Sequence, residues 1–432
     1  MITEKSPILD KLLNDYNQKW DHSGVSGERL ARRLSELAEI GLTDEHGSYR
    51  IGFSKEERMA KNLVKKWMAE AGLQVYDDGA GNVFGRLAGR TPALPAVLSG
   101  SHVDSVPNGG HFDGPLGVLA ALEVAEAWKE TDFQPNKPYE VVIFTDEEGA
   151  RFNGGLSGSS AFTGAMDIGQ EVHRVDYEGK SFQQVIEEDG LTLEGIQKAK
   201  RDMEKLHAYI EVHIEQGKRL EKENMPVGVV TGIAGPSWLR IQFHGEAGHA
   251  GNTPMDDRRD ALAAAGEFIS EVPFLPKRVS STAVATVGKL TVHPNGINVI
   301  PGRVELFVDI RDISQESLDA LTQSVIQKAE EIAGRHSIML ECEQTLNVSP
   351  MPVDETLQQV IAAAVRQSGL DPVFLTSGAG HDAMVVGRRI PSAMIFVRSK
   401  DGISHNPAEW TTLEDCAAAV HVLKNTLESL TD

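Results

Sequence analysis

The chain has 432 residues and a formal net charge of −21, with 42 lysines and arginines against 63 aspartates and glutamates. That balance excludes an extended nucleic-acid or anionic-membrane surface, because phosphate binding needs a clustered positive field. No apolar run is long enough to span a bilayer, and the length is more than one ordinary core requires, so two domains are expected. The first twenty residues, MITEKSPILDKLLNDYNQKW, have neither the basic start nor the apolar centre of a signal peptide. The only cysteines, Cys342 and Cys416, form no Cys-x-x-Cys pair. The expectation is a cytoplasmic protein with both cysteines in its core.

In chain order, helices are predicted over 8–20, 27–38 and 54–71, the last with Ser54 as N-cap and Glu57 three residues on. Two short strands flank the Asp-Asp-Gly-Ala-Gly turn at 77–81. The apolar run 95–98 then reads as a buried parallel strand, and it stops at small residues that release His102, Asp104, His111 and Asp113 into a glycine-rich loop. A helix over 116–129 and a strand in YEVVIFTDEEGARF complete a βαβ unit, which predicts a mixed, mostly parallel α/β sheet flanked by helices. After a charged helical stretch over 158–206, AYIEVHIEQG alternates as a strand and brings His213 to its end.

From about Ala234 the pattern becomes strand, helix, two strands, helix, strand, which predicts an inserted α+β domain over 234–350. The catalytic domain is then 1–233 together with 351–432. Its second part holds a helix over 355–368, the strand MIFVRS, the loop DGISHNPAEWT and a last helix.

Four separated loops, each at or beyond a predicted strand of the first domain, offer groups that bind metals: His102 with Asp113, the pair Glu147-Glu148, His213, and His405. Two neighbouring cations need an anion between them, and Asp113 is the candidate bridge. His102 and His213 complete one site and Glu148 with His405 the other, which leaves open positions for water and substrate. Asp104, two residues after His102, is placed to orient its imidazole. Adjacent glutamates on a strand point to opposite faces, but a loop relaxes that constraint. Glu148 is therefore assigned to the metal, and Glu147 to a general base that takes a proton from water and passes it to a leaving amine.

The segments GSHVDSVPNGGHFDGPLG, FTDEEGARF, EVHIEQG, GEAGHAGNTPM, GINVIPGRVELFVDIRD, SGAGHDAM and DGISHNPAEW, in that order, resemble the amidase/hydantoinase/carbamoylase family of dinuclear-metal amidohydrolases, and most closely its branch acting on N-carbamoyl-L-amino acids. The resemblance runs from about residue 25 to the end. It implies a catalytic domain, an inserted lid that also forms a homodimer, and two divalent ions per subunit, zinc, manganese, cobalt or nickel, on the ligands just named. The implied reaction is hydrolysis of the ureido C–N bond of a small anionic N-carbamoyl-L-amino acid to the amino acid, ammonia and carbon dioxide; allantoate and N-carbamoyl-β-alanine are the alternative substrates.

It further implies that Gln216 contacts the substrate and that His249, supplied by the lid of the partner subunit, stabilises an oxyanion. Asn298 and Arg311 are implied to hold the substrate carboxylate, and the loop carrying Gly380 to form a wall of the site. A planar guanidinium suits a carboxylate, and an imidazole donor suits developing negative charge.

Overall fold

The computed structural model describes residues 7–432. Internal contacts divide the chain into a first unit, reaching Thr231 and resuming over Val353–Leu375 and His381–Asp432, and a second unit of Gly232–Pro352 with Thr376–Gly380.

The first unit is built on a mixed sheet whose centre is four parallel strands in the spatial order Tyr139–Phe144, Ala96–His102, Leu206–Ile214 and Ser392–Val397. Every residue of Ala96–His102, Tyr139–Phe144 and Ser392–Val397 is buried. Apart from Glu140, which is paired with Arg86 and Arg201, and the terminal His102, these strands are apolar or small-residue runs because both faces of a parallel sheet are covered. Antiparallel strands finish the sheet: Val83–Leu87 and Gln74–Asp77 beyond Tyr139–Phe144, and Val227–Ile233 beyond Ser392–Val397. From Ala96–His102 the chain goes first to the neighbour on one side, Tyr139–Phe144, and later to the neighbour on the other, Leu206–Ile214. That reversal opens a crevice at the carboxyl ends of the strands, the place where open α/β sheets hold ligands.

Helix Pro115–Glu130 packs on the strand Ala96–His102 and on the last helix, Leu413–Thr431. It is buried from Pro115 to Trp128 because nearly all of its circumference is apolar. Its start is set by Gly114 at φ +80 followed by proline in the first turn. Phe53, Phe152, Phe182, Val185 and Ile186 form a satellite core with Ile196 under the helical stretch.

The second unit is a four-stranded antiparallel sheet in the order Met339–Asn347, Gly235–His244, Arg303–Asp312, Val284–His293. Helices Ala261–Glu271 and Gln315–Arg335 cover one face, where Leu239, Ile241 and Phe243 meet Val304, Leu306, Val308 and Ile310. Strict alternation of buried and partly exposed residues along Arg303–Asp312 is what a sheet packed on one face requires.

Several expectations are corrected. The first helix ends at Asn14 instead of continuing to residue 20, and Trp20 is buried in the irregular chain that follows. Ser54 does cap its helix by accepting from Glu57 N, but Glu57 returns to Phe53 N (2.6 Å) and not to the cap residue, because its carboxylate is also drawn to Lys61 (2.6 Å). Strands Val227–Ile233 and Phe374–Ser377 were not expected; glycines interrupt the alternation of the first, and the second spans only four residues. Cys416 is buried as expected, whereas Cys342 is exposed on the strand Met339–Asn347. Among the described residues no helix is long and apolar enough to cross a membrane.

His421 on the last helix donates Nε2–H to Trp20 O at 2.7 Å, with the His22 ring 4.1 Å away between centroids. Burial, outweighing that hydrogen bond and helped by His22 and Lys424, pushes its pKa down to about 4. An unfolded histidine titrates near 6.5, so between these values the unfolded chain binds a proton that the fold refuses. The stability owed to neutral His421 is therefore complete above pH ~6.5 and drains away as the pH falls towards about 4. The urea midpoint is expected to drop more between pH 7 and pH 5 in the parent protein than in His421→Gln. Equal drops would contradict the assignment.

Candidate metal centre

The four parallel strands deliver one functional segment each at the same edge of the sheet. His102 is the last residue of its strand, and His213 lies one residue before the end of the next. Glu147 and Glu148 follow Phe144, and His405 follows Val397 by way of a short turn. Asp113 comes from the loop between His102 and helix Pro115–Glu130. Gly114 is required beside it, because a Cβ there would lie 2.4 Å from the His102 ring.

These side chains form two groups that could hold a metal ion, His102, Asp113 and His213 in one and Asp113, Glu148 and His405 in the other, with all ligand atoms of a group within 4.8 Å of one another. Asp113 Oδ1 is 3.0 Å from His213 Nε2 and 3.7 Å from His102 Nε2. His405 Nε2 is 3.4 Å from both Asp113 Oδ2 and Glu148 Oε2.

The donor set fits a divalent cation. His213 Nδ1–H donates to Ile214 O (2.9 Å) and His102 Nδ1–H donates to Asp104 O (3.1 Å), so in its neutral form each ring would turn the lone pair of Nε2 towards Asp113. His102 Nε2 is buried with no hydrogen-bond partner. Lone pairs facing a carboxylate need a proton or a cation between them. Without a metal the protons are shared out accordingly. Burial pushes Asp113 upward, but His213, His102 and His405 outweigh it and hold the carboxyl well below the usual range. The hydrogen bond to Asp113 raises His405 to about 9, and burial with Asp113 nearby raises Glu148 to about 7.

Asp104 has a larger part than its position in the sequence indicates. Its carboxylate lies 3.4 Å from His102 Nδ1 and also accepts the backbone N–H groups of Glu147 (3.2 Å) and Glu148 (3.1 Å). The turn passes through Asp146 at φ +53, and after it the two glutamates diverge. Glu148 faces His405, while Glu147 belongs to neither ligand group and places Oε2 3.8 Å from His102 Nε2 and Oε1 3.9 Å from His381 Nδ1. Burial, reinforced by Asp382 and Glu148, raises the Glu147 carboxyl well above its ordinary value.

Gln216 donates Nε2–H to Asp113 Oδ2 (2.7 Å) and to Ser404 Oγ (3.1 Å). His381 is buried with its ring 4.2 Å from that of His213, but it belongs to neither ligand group. His111 is turned away and donates to His46 O at 2.9 Å. Two residues of the centre escaped sequence reasoning, Ser404 and Glu409. The available signal was their spacing around His405, one residue before it and four after.

The remaining predicted residues lie in the second unit. His249 is exposed, and its Nδ1 accepts from Gly251 N (3.0 Å) and Asn252 N (3.1 Å), which leaves the proton on Nε2. Asn298 is beside it, since Val299 pairs with His249 and Asn298 O accepts from Ala250 N at 3.0 Å. Arg311 is forked onto Asp309, at 3.0 Å through Nε and 2.9 Å through Nη2, and donates Nη1–H to Gly378 O at 2.7 Å in the loop that holds Gly380. Three of its five N–H groups are thus engaged among the described residues, and one on each terminal nitrogen is left for a ligand.

The peptidase family M20/M25/M40 model matches residues 98–429. The N-carbamoyl-L-amino acid amidohydrolase of Geobacillus stearothermophilus is 46% identical over 406 residues, 94% of this chain and 99% of that one. The allantoate amidohydrolase of Bacillus subtilis is 36% identical and covers 91% of this chain and 95% of its own. A solved amidase of the hydantoinase/carbamoylase family from Burkholderia multivorans superposes with a TM-score of 0.88 at 37% identity, over 94% of this chain and 98% of that structure. The chain is an amidohydrolase and belongs to the peptidase family M20/M25/M40, among its hydantoinase/carbamoylase amidases.

Proposed function

We propose that this enzyme hydrolyses the ureido C–N bond of N-carbamoyl-L-amino acids, releasing the amino acid, ammonia and carbon dioxide. The observation that carries the reading is the pair of ligand groups sharing Asp113 at the carboxyl edge of the sheet. Similarity to the Geobacillus stearothermophilus relative along nearly the whole chain supports the substrate class. In this reading His102, Asp113 and His213 hold one divalent ion and Asp113, Glu148 and His405 a second. Imidazole and carboxylate ligands choose only weakly among zinc, manganese, cobalt and nickel. Such ions supply Lewis acidity, making water a better nucleophile and drawing charge from a carbonyl oxygen.

The protein's own groups do the rest. Glu147, buried and outside both ligand groups, takes the proton from the attacking water and delivers it to the departing nitrogen. One water adds to the carbamoyl carbon, the bond to the amino-acid nitrogen breaks, and the carbamic acid formed splits into ammonia and carbon dioxide. His249 offers Nε2–H to the oxyanion of the tetrahedral intermediate. Arg311 clasps the substrate carboxylate with its two remaining N–H groups, already aimed by Asp309 and Gly378 O, and Asn298 assists. Gln216, its two N–H groups held by Asp113 and Ser404, presents its amide carbonyl to the ureido N–H groups, and Gly380 leaves the loop wall free of a side chain. The chain acts as a homodimer through the second unit.

Glu147→Gln is expected to lower kcat by roughly 10²–10⁴ while metal content and KM stay near parent values, measured by steady-state kinetics with elemental analysis. Parent-like kcat would remove Glu147 as the base. Arg311→Lys cannot reproduce a planar fork. Loss of a charged hydrogen bond worth about 1.5–3 kcal/mol lowers kcat/KM roughly 10- to 150-fold on carboxylated substrates, and the rate on the corresponding carboxamide should not change. Equal losses on both would point to a folding defect instead of a lost clamp. Across a panel, kcat/KM should be highest for N-carbamoyl-L-α-amino acids; a higher value for allantoate or N-carbamoyl-β-alanine would reassign the substrate.

A further inference from the structure

Glu409 lies four residues after His405 in a turn closed by Glu409 N donating to Asn406 O at 2.9 Å. Its side chain is 3% exposed and reaches back across the centre. Oε1 accepts the backbone N–H groups of Phe112 (2.9 Å) and Asp113 (3.1 Å). Oε2 lies 2.8 Å from Ser404 Oγ, and that hydroxyl is also 2.9 Å from Asp113 Oδ2. One carboxylate therefore grips the main chain of the shared ligand, and Ser404 stands between the two carboxylates with a single proton that it can give to one of them at a time. Gly110 makes the approach possible, because a Cβ there would lie 2.0 Å from Glu409 Oε1.

We propose that Glu409 is a positioning residue of the metal centre: it fastens the loop carrying His405 to the loop carrying Asp113 and so fixes where the bridging carboxylate stands. The proposal rests on Asp113 and His405 being ligands. Asp113 sits on a glycine-flanked loop with no secondary structure of its own, so its backbone must be held by something outside the loop. Two consecutive backbone N–H groups bound to one carboxyl oxygen hold the loop at Phe112 and Asp113 together, which a contact to a single residue would not do. Groups that orient a ligand in this way commonly change metal affinity 10- to 100-fold when removed.

The two loops have a second, apolar attachment that does not involve Glu409. Phe112 meets the Trp410 ring edge-on with centroids 5.3 Å apart. On its far side Glu409 borders a cavity of about 400 Å³ lined also by His111, Lys11 and Trp410. Truncating Glu409 thus enlarges an existing space and does not open a hole in dense core, so the variant is expected to fold.

The test uses full-length parent, Glu409→Ala, Glu409→Gln and Ser404→Ala, each stripped with chelator and titrated with zinc or cobalt(II) in metal buffers. Melting of the stripped proteins reports folding, and the cobalt(II) absorption spectrum reports ligand geometry. Glu409→Ala should lose 10- to 100-fold in affinity for at least one ion, with an altered spectrum, and its kcat should fall more than its KM rises. Glu409→Gln should lie between parent and alanine, since its carbonyl still accepts from Phe112 and Asp113. Ser404→Ala should show a smaller loss in the same direction. If Glu409→Ala does not fold, the other two variants carry the test. Parent affinity and spectrum in all folded variants would overturn the role of Glu409. Failure of the parent protein to bind any ion would instead overturn the ligand assignment beneath it.

Discussion

Everything in the first unit converges on the Asp113 carboxylate, which stands against three imidazoles contributed by three separate strand ends. Its surroundings are buried and rich in other acids, with Asp104, Glu147 and Asp382 all nearly inaccessible. Desolvated like charges repel strongly, so such a cluster persists only with protons or cations distributed among its members. The ring hydrogen bonds of His102 and His213 decide the distribution, because they commit Nδ1 as donor and leave Nε2 as acceptor on both rings. A protein with a formal charge of −21 thereby builds a local demand for positive charge without a basic patch.

The sheet supplies this arrangement through topology. Four parallel strands end at one edge, and the chain's reversal around Ala96–His102 brings His102 and His213 together from more than a hundred residues apart. Loops then add what strands cannot. The chain turns through the left-handed Asp146 into a loop where two adjacent glutamates meet different partners, and Asp104 holds their backbones from the neighbouring strand end. Glu409 holds the other flank. The rigid sheet thus gives positions, and buried carboxylates that touch no substrate in this account give orientation.

Much of this was legible in the amino-acid sequence, for identifiable reasons. Parallel strands buried on both faces announce themselves as apolar runs, and the inserted unit does so by the alternation of RVELFVDIRD and the helical periods beside it. The two groups that could hold a metal ion draw on strand-end residues, because chemistry confines such residues to loops at one edge. Side-chain economy was not legible. Nothing in the spacing showed that Glu57 would desert its cap for Phe53 N, that His111 would turn to His46 O, or that Asp104 would serve two backbones as well as one imidazole. Those outcomes depend on which donors folding brings within 3 Å, and pattern carries no such information. Short or glycine-broken strands such as Phe374–Ser377 and Val227–Ile233 were missed because their periodicity is too brief to stand out.

In the second unit, His249 is fixed in the tautomer that carries its proton on Nε2, and Arg311 keeps two N–H groups unbonded among the described residues. The central claim concerns Asp113, and anomalous diffraction from crystals of the metal-loaded protein tests it most directly. The account predicts two ion peaks per chain on either side of the Asp113 carboxylate, one contacted by His102 and His213 and the other by Glu148 and His405. A single peak, or two peaks with Asp113 bound to neither or only one, would contradict it.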